Sequence, residues 1–456
     1  MYLNLDKFTK EEKEEILIVL RKEAAILAKF KHPLVLSLVD PLLEDKSTLI
    51  FVTEPFNFTL SKFAENPDTS KLEIKLLILE LCNVINFMHN DAKVIIQSLT
   101  PENILITASG NLKLSGLAFN ITDPPGQSSQ GSAESTLNKH FPNAMPLLKF
   151  IAPEIIKENK AYYKSDIFAL GLLIYYLYKL NDNNNNNNNN TITDKDRELI
   201  EVNPSRNTID NYKLSFEDFD KKVAKINFTD EEDNNIIKKA TIKDINYRPD
   251  INEIMRLNFF NDPKLKAFRF IDNLDANEPG KNIEFLNKFS NILNIFELKI
   301  IEKRFLPCFI KGLKNENLIV NILPIIFNIC QLPGIKIDFE VSIWPSLKTV
   351  FAMKQIPAAA LYFILSKINL IAEKISNSEF SGNMLNIICK ALDCGVPKIQ
   401  GIVMENLEFI IKKIDSLAFK NQIFPRLVHI VLTTNSATLK VTILKSFIKI
   451  YNLLDQ

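Results

Sequence analysis

A short apolar motif recurs in the C-terminal part of the chain, and its period constrains the fold more than any other feature. The motif is an apolar pair followed by proline: Phe305-Leu306-Pro307, Ile343-Trp344-Pro345 and Ile423-Phe424-Pro425, with Met384-Leu385-Asn386 in the third slot. Successive copies are 38, 41 and 39 residues apart. A period of about forty residues without strand patterns is typical of helix pairs that stack into a superhelix.

Each period is predicted to hold two helices. Proline suits the first turn of a helix, because its missing N–H would have no intrahelical partner there. The second helices are predicted to begin near Asn317, Pro357, Pro397 and Ser436. Helix pairs of this length match a HEAT-type α-solenoid of about four repeats over residues 273–456. Trp344, the single tryptophan of the chain, is expected in its core.

Length and composition exclude several classes of protein. At 456 residues, the chain is expected to hold about two to three domains. The net charge of +1 gives no electrostatic case for nucleic acid or an acidic membrane surface. The longest apolar run, residues 167–178, is shorter than the roughly 20 residues that a membrane-spanning helix needs, and the N-terminus carries no secretory signal. The five cysteines lack a zinc-binding spacing, so we expect a cytoplasmic protein with free thiols and no metal.

The first part of the chain predicts one helix followed by short strands. The helix covers residues 9–29, with Thr9 and Glu12 as a capping box. Strands are predicted over residues 35–39 and 48–53, then a helix over residues 71–89 and a hairpin around Ser109-Gly110-Asn111. Gly110 is the first glycine. No Gly-rich loop therefore precedes it, and no V-A-I-K strand supplies a lysine for nucleotide phosphates.

Two later segments are predicted to lack regular structure. Residues 123–146 are rich in Pro, Gly, Ser and Gln and are predicted to form a mobile loop. Residues 181–190 are nearly all asparagine, and such a tract buries no apolar surface, which predicts a disordered surface insertion. Residues 151–180, between the two, are strongly apolar and predicted to be helical. A domain boundary is predicted at Asn261-Asp262-Pro263.

The run from Ile96 to Asn103 follows the pattern H-R-D-L-x-x-x-N of a protein-kinase catalytic loop. Asn103 is kept, but Ser98 stands where the catalytic aspartate belongs. Gly116, thirteen residues after Asn103, stands at the first position of the D-F-G motif. A glycine cannot ligate magnesium, and a serine is a poor acceptor for a hydroxyl proton at neutral pH. Both slots are degenerate, so we expect a protein without catalytic residues, cofactor or metal.

Other positions match the architecture of a kinase domain. Ala152-Pro153-Glu154 matches the A-P-E motif, and Arg248 supplies the arginine that usually pairs with its glutamate. Asp166 lies where a kinase aspartate holds the catalytic-loop backbone. Glu23 stands where a glutamate pairs with the phosphate-binding lysine, and without that lysine we interpret Glu23 and Asn103 as relics of a nucleotide site. The positions that match the kinase pattern support the fold, whereas the positions that differ from it would carry out the reaction.

Kinase motifs followed by helical repeats make the chain resemble the SCY-like pseudokinases, and among them the coated-vesicle-associated branch. The resemblance rests on the order of Thr100-Pro101-Glu102-Asn103, Ala152-Pro153-Glu154 and the repeats that begin at Leu306-Pro307. It implies an α+β protein-kinase-like domain over residues 1–262, followed by an all-α HEAT-type solenoid over residues 273–456. Because only 22 residues precede Glu23, we expect a truncated small lobe.

The resemblance also implies a function. It indicates a catalytically inactive scaffold or adaptor in clathrin-linked membrane trafficking at the Golgi or endosome, whose solenoid binds coat proteins. Membrane association would then be peripheral and would pass through these partners. Two alternatives remain open. A weak atypical serine/threonine protein kinase would use Asn103 and another acid, whereas a structural tether would use the kinase-like part only to cap the solenoid.

Overall fold

The chain forms two compact units, Met1–Lys266 and Ala267–Gln456. A computed structural model describes residues 8–45, 48–122, 132–135, 137, 145–185, 198–202 and 207–454. All strands of these residues lie in the first unit, and the elements of the second unit are helices. The prediction of an α+β domain followed by an all-α domain is thereby confirmed. Most of the predicted loop over residues 123–146 and residues 186–190 of the asparagine tract lie outside the described residues.

Helix α1, Lys10–Lys29, is the first described helix, and its predicted capping box is confirmed. Thr9 Oγ1 accepts a hydrogen bond from the Glu12 backbone N–H, and the Glu12 carboxylate accepts one from the Thr9 N–H. The buried residues of α1 include Ile16, Ala24 and Leu27, at helical spacing. This apolar face anchors α1 on the first unit.

Strands β1 (Leu38–Asp45) and β2 (Thr48–Thr53) pair as an antiparallel hairpin. The sequence pattern predicts the first strand over residues 35–39, but β1 begins three residues later, at Leu38, and ends at Asp45. Val35 is buried and makes an isolated parallel bridge to Leu114 instead. An apolar run marks a buried extended segment, but it does not tell which strand the segment pairs with.

Two helices carry the core of the first unit, α3 (Lys71–Asn86) and α5 (Tyr163–Asn185). The shorter helices are α2 (Leu60–Ala64), α4 (Pro153–Glu158), α6 (Ile209–Phe216), α7 (Phe219–Ala224), α8 (Glu231–Ala240) and α9 (Ile251–Ile254). Helix α10 (Pro263–Asp272) contains the boundary between the two units. Twelve of the sixteen residues of α3 are buried, Lys75 and Glu80 among them, as expected for a helix in the interior of a domain. The chain continues past α3 as a wider π turn, Phe87–Asp91, so the predicted helix to residue 89 is interrupted at its last turn.

Short antiparallel strands lie between these helices. One sheet contains β3 (Phe58–Thr59), β5 (Ile104–Ile106) and β6 (Leu112–Leu114), while β4 (Val94–Ile95) pairs with β7 (Ile121–Thr122), and β8 (Ser132–Glu134) with β9 (Lys160–Tyr162). The hairpin predicted at Gly110 is confirmed, and Gly110 has the positive φ, 82°, that favours glycine. The catalytic-loop segment lies between β4 and β5.

Two sequence predictions for α5 and its surroundings are wrong. The helix predicted over residues 151–180 is interrupted, because α4 ends at Asn159, with φ of 54°, and β9 pairs with β8. The asparagine tract is helical at its start, since α5 runs to Asn185. Asn181 is buried and donates from Nδ2 to the Thr69 carbonyl oxygen at 2.7 Å. Composition alone does not show whether a polar residue will be bonded to a distant part of the fold, as Asn181 is.

The second unit is a series of helix pairs. The first pair after α11 (Pro279–Ile292) is α12 (Leu298–Ile300) and α13 (Leu306–Gly312) with α14 (Ile319–Cys330). The second is α15 (Phe339–Ser342) and α16 (Trp344–Ala352) with α17 (Ala358–Ser366) and α18 (Ile368–Lys374). The third is α19 (Asn377–Asp393) with α20 (Pro397–Glu405) and α21 (Leu407–Lys413), and the fourth is α22 (Ser416–Ala418) and α23 (Phe424–Thr433) with α24 (Ala437–Leu454). The second helices, at residues 279–292, 319–330, 358–366, 397–405 and 437–454, pack on one another in this order. Trp344 is buried, as predicted. The arrangement is that of a helical solenoid.

Each proline of the repeat lies in the first turn of an α-helix, where proline is predicted to fit: Pro307 in Leu306–Gly312, Pro345 in Trp344–Ala352 and Pro425 in Phe424–Thr433. Pro307 follows a π turn at Ile301–Phe305, and Pro425 follows one at Phe419–Ile423. A proline clashes with the carbonyl group four residues earlier in a regular α-helix, and a π turn widens the spacing at that point. Asn386 occupies the third slot, and there α19 continues for 17 residues without a break.

Replacing Asn386 tests whether proline is tolerated at this position of a continuous α-helix. Asn386 is exposed, so Asn386→Pro changes the backbone without disturbing the core. We expect a loss of about 3 kcal/mol in the free energy of unfolding of the second unit, because α19 has no π turn to receive the ring. Chemical denaturation measures it. The control Asn386→Ala should change stability by less than about 0.5 kcal/mol. Equal stability of the two variants would show that α19 tolerates proline at this position.

Candidate functional site

The catalytic-loop segment is held by the carboxylate of Asp166, in the first turn of α5. Asp166 Oδ2 accepts from the Ile96 N–H at 2.8 Å and lies 2.9 Å from His89 Nε2, while Oδ1 accepts from the Gln97 N–H at 2.9 Å. All four residues are buried. A carboxylate with this many donors is strongly held, so Asp166 fixes the backbone immediately before Ser98.

Three of the four degenerate or relic positions, Ser98, Asn103 and Gly116, contact one another. Ser98 is fully buried, and its hydroxyl donates to the Gly116 carbonyl oxygen. Asn103 Nδ2 donates to the Ser98 carbonyl oxygen at 2.9 Å. The Ser115 N–H and hydroxyl each donate to the Asn103 carbonyl oxygen at 2.8 Å. These groups therefore satisfy each other, where a kinase would direct them towards magnesium and substrate.

Gly116 leaves no room for a metal-binding side chain. Its φ is 70°, in the left-handed region that favours glycine. A Cβ atom added at Gly116 would lie 2.2 Å from Asn103 Cγ and 2.3 Å from Asn103 Nδ2. Such distances are far inside van der Waals contact, so an aspartate at this position requires Asn103 to move. The two candidate metal-binding positions of the family pattern thus exclude each other in this structure.

Glu23 on α1 points at the same place from the other side. Its Oε1 accepts from the Gly116 N–H at 2.8 Å, and it caps the short 3₁₀ turn Leu117–Phe119. Burial raises the pKa of the Glu23 carboxyl, while hydrogen bonds from the Gly116, Ala118 and Leu117 N–H groups oppose that rise. The glutamate that would pair with a phosphate-binding lysine therefore serves as a cap on the degenerate D-F-G segment.

Glu154 and Arg248 form a buried ion pair, which we call the Glu154–Arg248 clamp. Arg248 Nη1 lies 2.7 Å from Glu154 Oε1, and Nη2 lies 3.1 Å from Oε2, a bidentate geometry. Ser165 donates to Glu154 at 2.6 Å. Arg248 also donates to the carbonyl oxygens of Lys164 (2.8 Å), Ile242 (2.8 Å) and Lys243 (3.1 Å). The clamp therefore ties α4, the start of α5 and residues 242–243 together.

The predicted site residues thus fall into two groups. Ser98, Asn103, Gly116 and Glu23 meet at the degenerate catalytic site, and Glu154 with Arg248 forms the clamp. Asp166 links the groups, since Ser165, its neighbour on α5, is bonded to Glu154. Among the residues that the structure describes, no three His, Cys, Asp or Glu side chains are grouped to hold a metal ion.

Sequence reasoning missed two participants, Gln97 and Ser135. Gln97 Nε2 donates to the Phe119 carbonyl oxygen at 2.7 Å, and Gln97 Oε1 accepts from the Ser135 hydroxyl at 2.8 Å. Gln97 stands at the arginine of the H-R-D pattern, which is the signal that could have found it. Nothing in the local sequence indicates Ser135, because its partner lies 38 residues away.

Comparison with known proteins places this geometry in a family. The model of the protein kinase domain matches residues 4–260. The chain therefore belongs to the protein kinase domain family, and the second unit follows the matched region. The kinase-like domain with a helical region after it, predicted from the sequence, is confirmed.

Several relatives match along nearly the whole chain, and SCY1 and an SCY1-like protein are among them. Protein kinase-like protein SCY1 of Saccharomyces cerevisiae is 27% identical over 95% of this chain and 56% of its own length. SCY1-like protein 2 of Homo sapiens is 25% identical over 99% of this chain and 48% of its own length. Protein kinase domain-containing protein ppk32 of Schizosaccharomyces pombe is 25% identical over 95% of this chain and 58% of its own. The chain thus spans about half the length of these relatives, and the predicted SCY-like family is confirmed.

The clamp generates a stability prediction. Arg248→Leu leaves the Glu154 carboxylate buried without its counter-charge, and we expect the first unit to lose roughly 3–5 kcal/mol of unfolding free energy. Arg426→Leu is the matched control, because Arg426 pairs with Asp393 at the surface and such pairs contribute at most about 1 kcal/mol. Urea denaturation of both variants measures the difference. Similar stability losses in the two variants would show that the clamp is not a main support of the fold.

Proposed function

We propose that the chain is a catalytically inactive, kinase-like scaffold or adaptor in clathrin-linked membrane trafficking. One observation carries the inactive part of the proposal: Ser98, Asn103 and Gly116 are bonded to or packed against one another at the catalytic site. Phosphoryl transfer depends on a base for the substrate hydroxyl and on an aspartate that holds magnesium against the phosphates. Neither group is present at these positions, and no cofactor or metal is proposed.

The chemistry of each position supports inactivity. The Ser98 hydroxyl is fully buried and donates its proton to the Gly116 carbonyl oxygen, so it is not placed to accept a proton from a substrate. The Asn103 amide is committed to the Ser98 carbonyl oxygen. Loss of a general base alone costs about 10²- to 10⁴-fold in rate, and loss of the magnesium ligand adds to it.

The contacts that hold the fold support a scaffold. Asp166 anchors the catalytic-loop backbone, and Arg248 makes both hydrogen bonds of its bidentate contact with Glu154. The second unit offers a series of stacked helices, and solenoids of this kind bind partners along extended surfaces. None of the described helices is long and apolar enough to cross a membrane. The partner class, coat proteins at Golgi or endosomal membranes, and a peripheral cytoplasmic location rest on the resemblance to coated-vesicle-associated SCY-like proteins.

The competing candidate is a weak atypical serine/threonine protein kinase. The retained Asn103 and the match to the protein kinase domain favour it. This candidate requires Asn103 to leave Ser98 and bind magnesium, together with an acid from another position. The two candidates differ in whether nucleotide stabilises the protein.

Nucleotide binding can be measured as a thermal shift. We expect millimolar Mg-ATP to leave the melting temperature unchanged, because the metal positions are occupied by mutual contacts. A ligand at 100 times its dissociation constant would add about 2.7 kcal/mol of stability, which such an assay detects. ADP without magnesium is the matched control. A Mg-ATP shift that disappears in Asn103→Ala, with phosphate transfer to a protein substrate, would establish the kinase instead.

The scaffold role is tested by rescue of cells that lack the protein. Leu407 is fully buried in α21, Leu407–Lys413, so Leu407→Asp places an unpaired charge in the core of the second unit at a severe cost. We expect this variant to lose rescue of a trafficking defect. Leu432, in α23 (Phe424–Thr433), is 76% exposed, and Leu432→Asp at matched expression should rescue. Full rescue by Leu407→Asp would show that the second unit is not needed for the proposed role.

A further inference from the structure

Gln97 adopts a conformation that few residues other than glycine take. Its φ is 61°, and a residue in the left-handed region is kept there only where its surroundings determine it. Gln97 is 3% exposed, and its N–H is held by Asp166 Oδ1 at 2.9 Å. The backbone of Gln97 is therefore tied to α5, and its side chain is directed into the interior of the first unit.

The side-chain amide of Gln97 joins two segments that are distant in sequence. Nε2 donates to the carbonyl oxygen of Phe119, three residues after Gly116, at 2.7 Å. Oε1 accepts from the hydroxyl of Ser135, directly after β8, at 2.8 Å. The amide thus uses a donor and an acceptor at the same time. An arginine has donors only, so it could not accept from Ser135.

Ser135 is held on its other sides as well. It is fully buried, its N–H donates to the Asn159 carbonyl oxygen at 2.8 Å, and its hydroxyl oxygen accepts from the Leu137 N–H at 3.3 Å. The strand before it pairs with β9, with Ala133 opposite Ala161. Residues 132–135 are therefore bound to β9 on one side and to Gln97 on the other.

In protein kinases, phosphorylation orders the activation loop through new pairs between arginine and phosphate. We propose that Gln97 is a positioning residue that replaces this device with a neutral latch, formed by Gln97, Phe119 and Ser135. The latch keeps residues 132–135 ordered in the unphosphorylated protein. The order of this segment therefore does not depend on a phosphate group.

The latch also reverses the usual effect of phosphorylation. A phosphate group at Ser135 would carry a charge of about −1.5 to −2 into a fully buried position whose partner is a neutral amide. The modification requires the latch to open and prevents it from closing. Phosphorylation at Ser135 thus releases the segment that phosphorylation orders in an active kinase.

Hydrogen–deuterium exchange with mass spectrometry tests the latch on the full chain, expressed in bacteria and treated with phosphatase. Gln97→Leu removes both side-chain bonds, and we expect exchange of peptides covering residues 132–135 and 160–162 to rise roughly tenfold or more, since two hydrogen bonds that resist local opening are lost. Gln400→Leu is the matched control. Gln400 is also buried and donates to the Leu392 carbonyl oxygen at 2.8 Å, and its loss should leave these peptides unchanged.

A milder variant keeps the test decisive if Gln97→Leu disturbs folding. Ser135→Ala removes a single hydroxyl, and we expect roughly threefold faster exchange over residues 132–135. Ser135→Glu, which mimics the phosphate charge, should accelerate it further, and Gln97→Arg should do the same. Unchanged exchange in Ser135→Ala and Ser135→Glu would overturn the proposal. Slow exchange that appears only after phosphorylation of the wild-type protein would overturn it too.

Discussion

The first unit depends on a buried ion pair between Arg248 and Glu154. Removing two charges from water is costly, and such a pair is stable only if the remaining donors and acceptors are satisfied. Arg248 meets this condition through its bidentate contact with Glu154 and three backbone carbonyl oxygens, and it stacks on Phe168 at 4.8 Å. Because these partners come from separate segments, the pair determines how α4, α5 and residues 242–243 meet.

The start of α5 transmits this order to the catalytic loop. Ser165 is bonded to Glu154, and the next residue, Asp166, accepts the N–H groups of Ile96 and Gln97. Asp166 therefore fixes the backbone of the catalytic-loop segment. Within it, Ser98 and Asn103 turn towards each other and towards Gly116, and Glu23 caps the segment that follows. The groups at these four positions contact one another in this structure.

The second unit follows a different rule, because each helix pair is supported mainly by its neighbours. Its stability is therefore distributed along the series of helix pairs. The repeat also shows how one residue changes a helix. Pro307 and Pro425 follow π turns at Ile301–Phe305 and Phe419–Ile423, and Pro345 follows a break between two helices, while Asn386 in the same slot leaves α19 continuous. The period survives because burial of the apolar positions determines the stacking.

The sequence by itself determined what short patterns encode: the capping box at Thr9, the hairpin at Gly110, the helix pairs and the identity of the residues at Ser98 and Gly116. Such features depend on contacts within a few residues or on a regular period. Tertiary structure alone decided that Asn181 is buried in α5, that Val35 meets Leu114, and that Gln97 meets Ser135. Each of these contacts joins segments far apart in the chain, and its free energy comes from burial and hydrogen bonds that exist only after the segments have met.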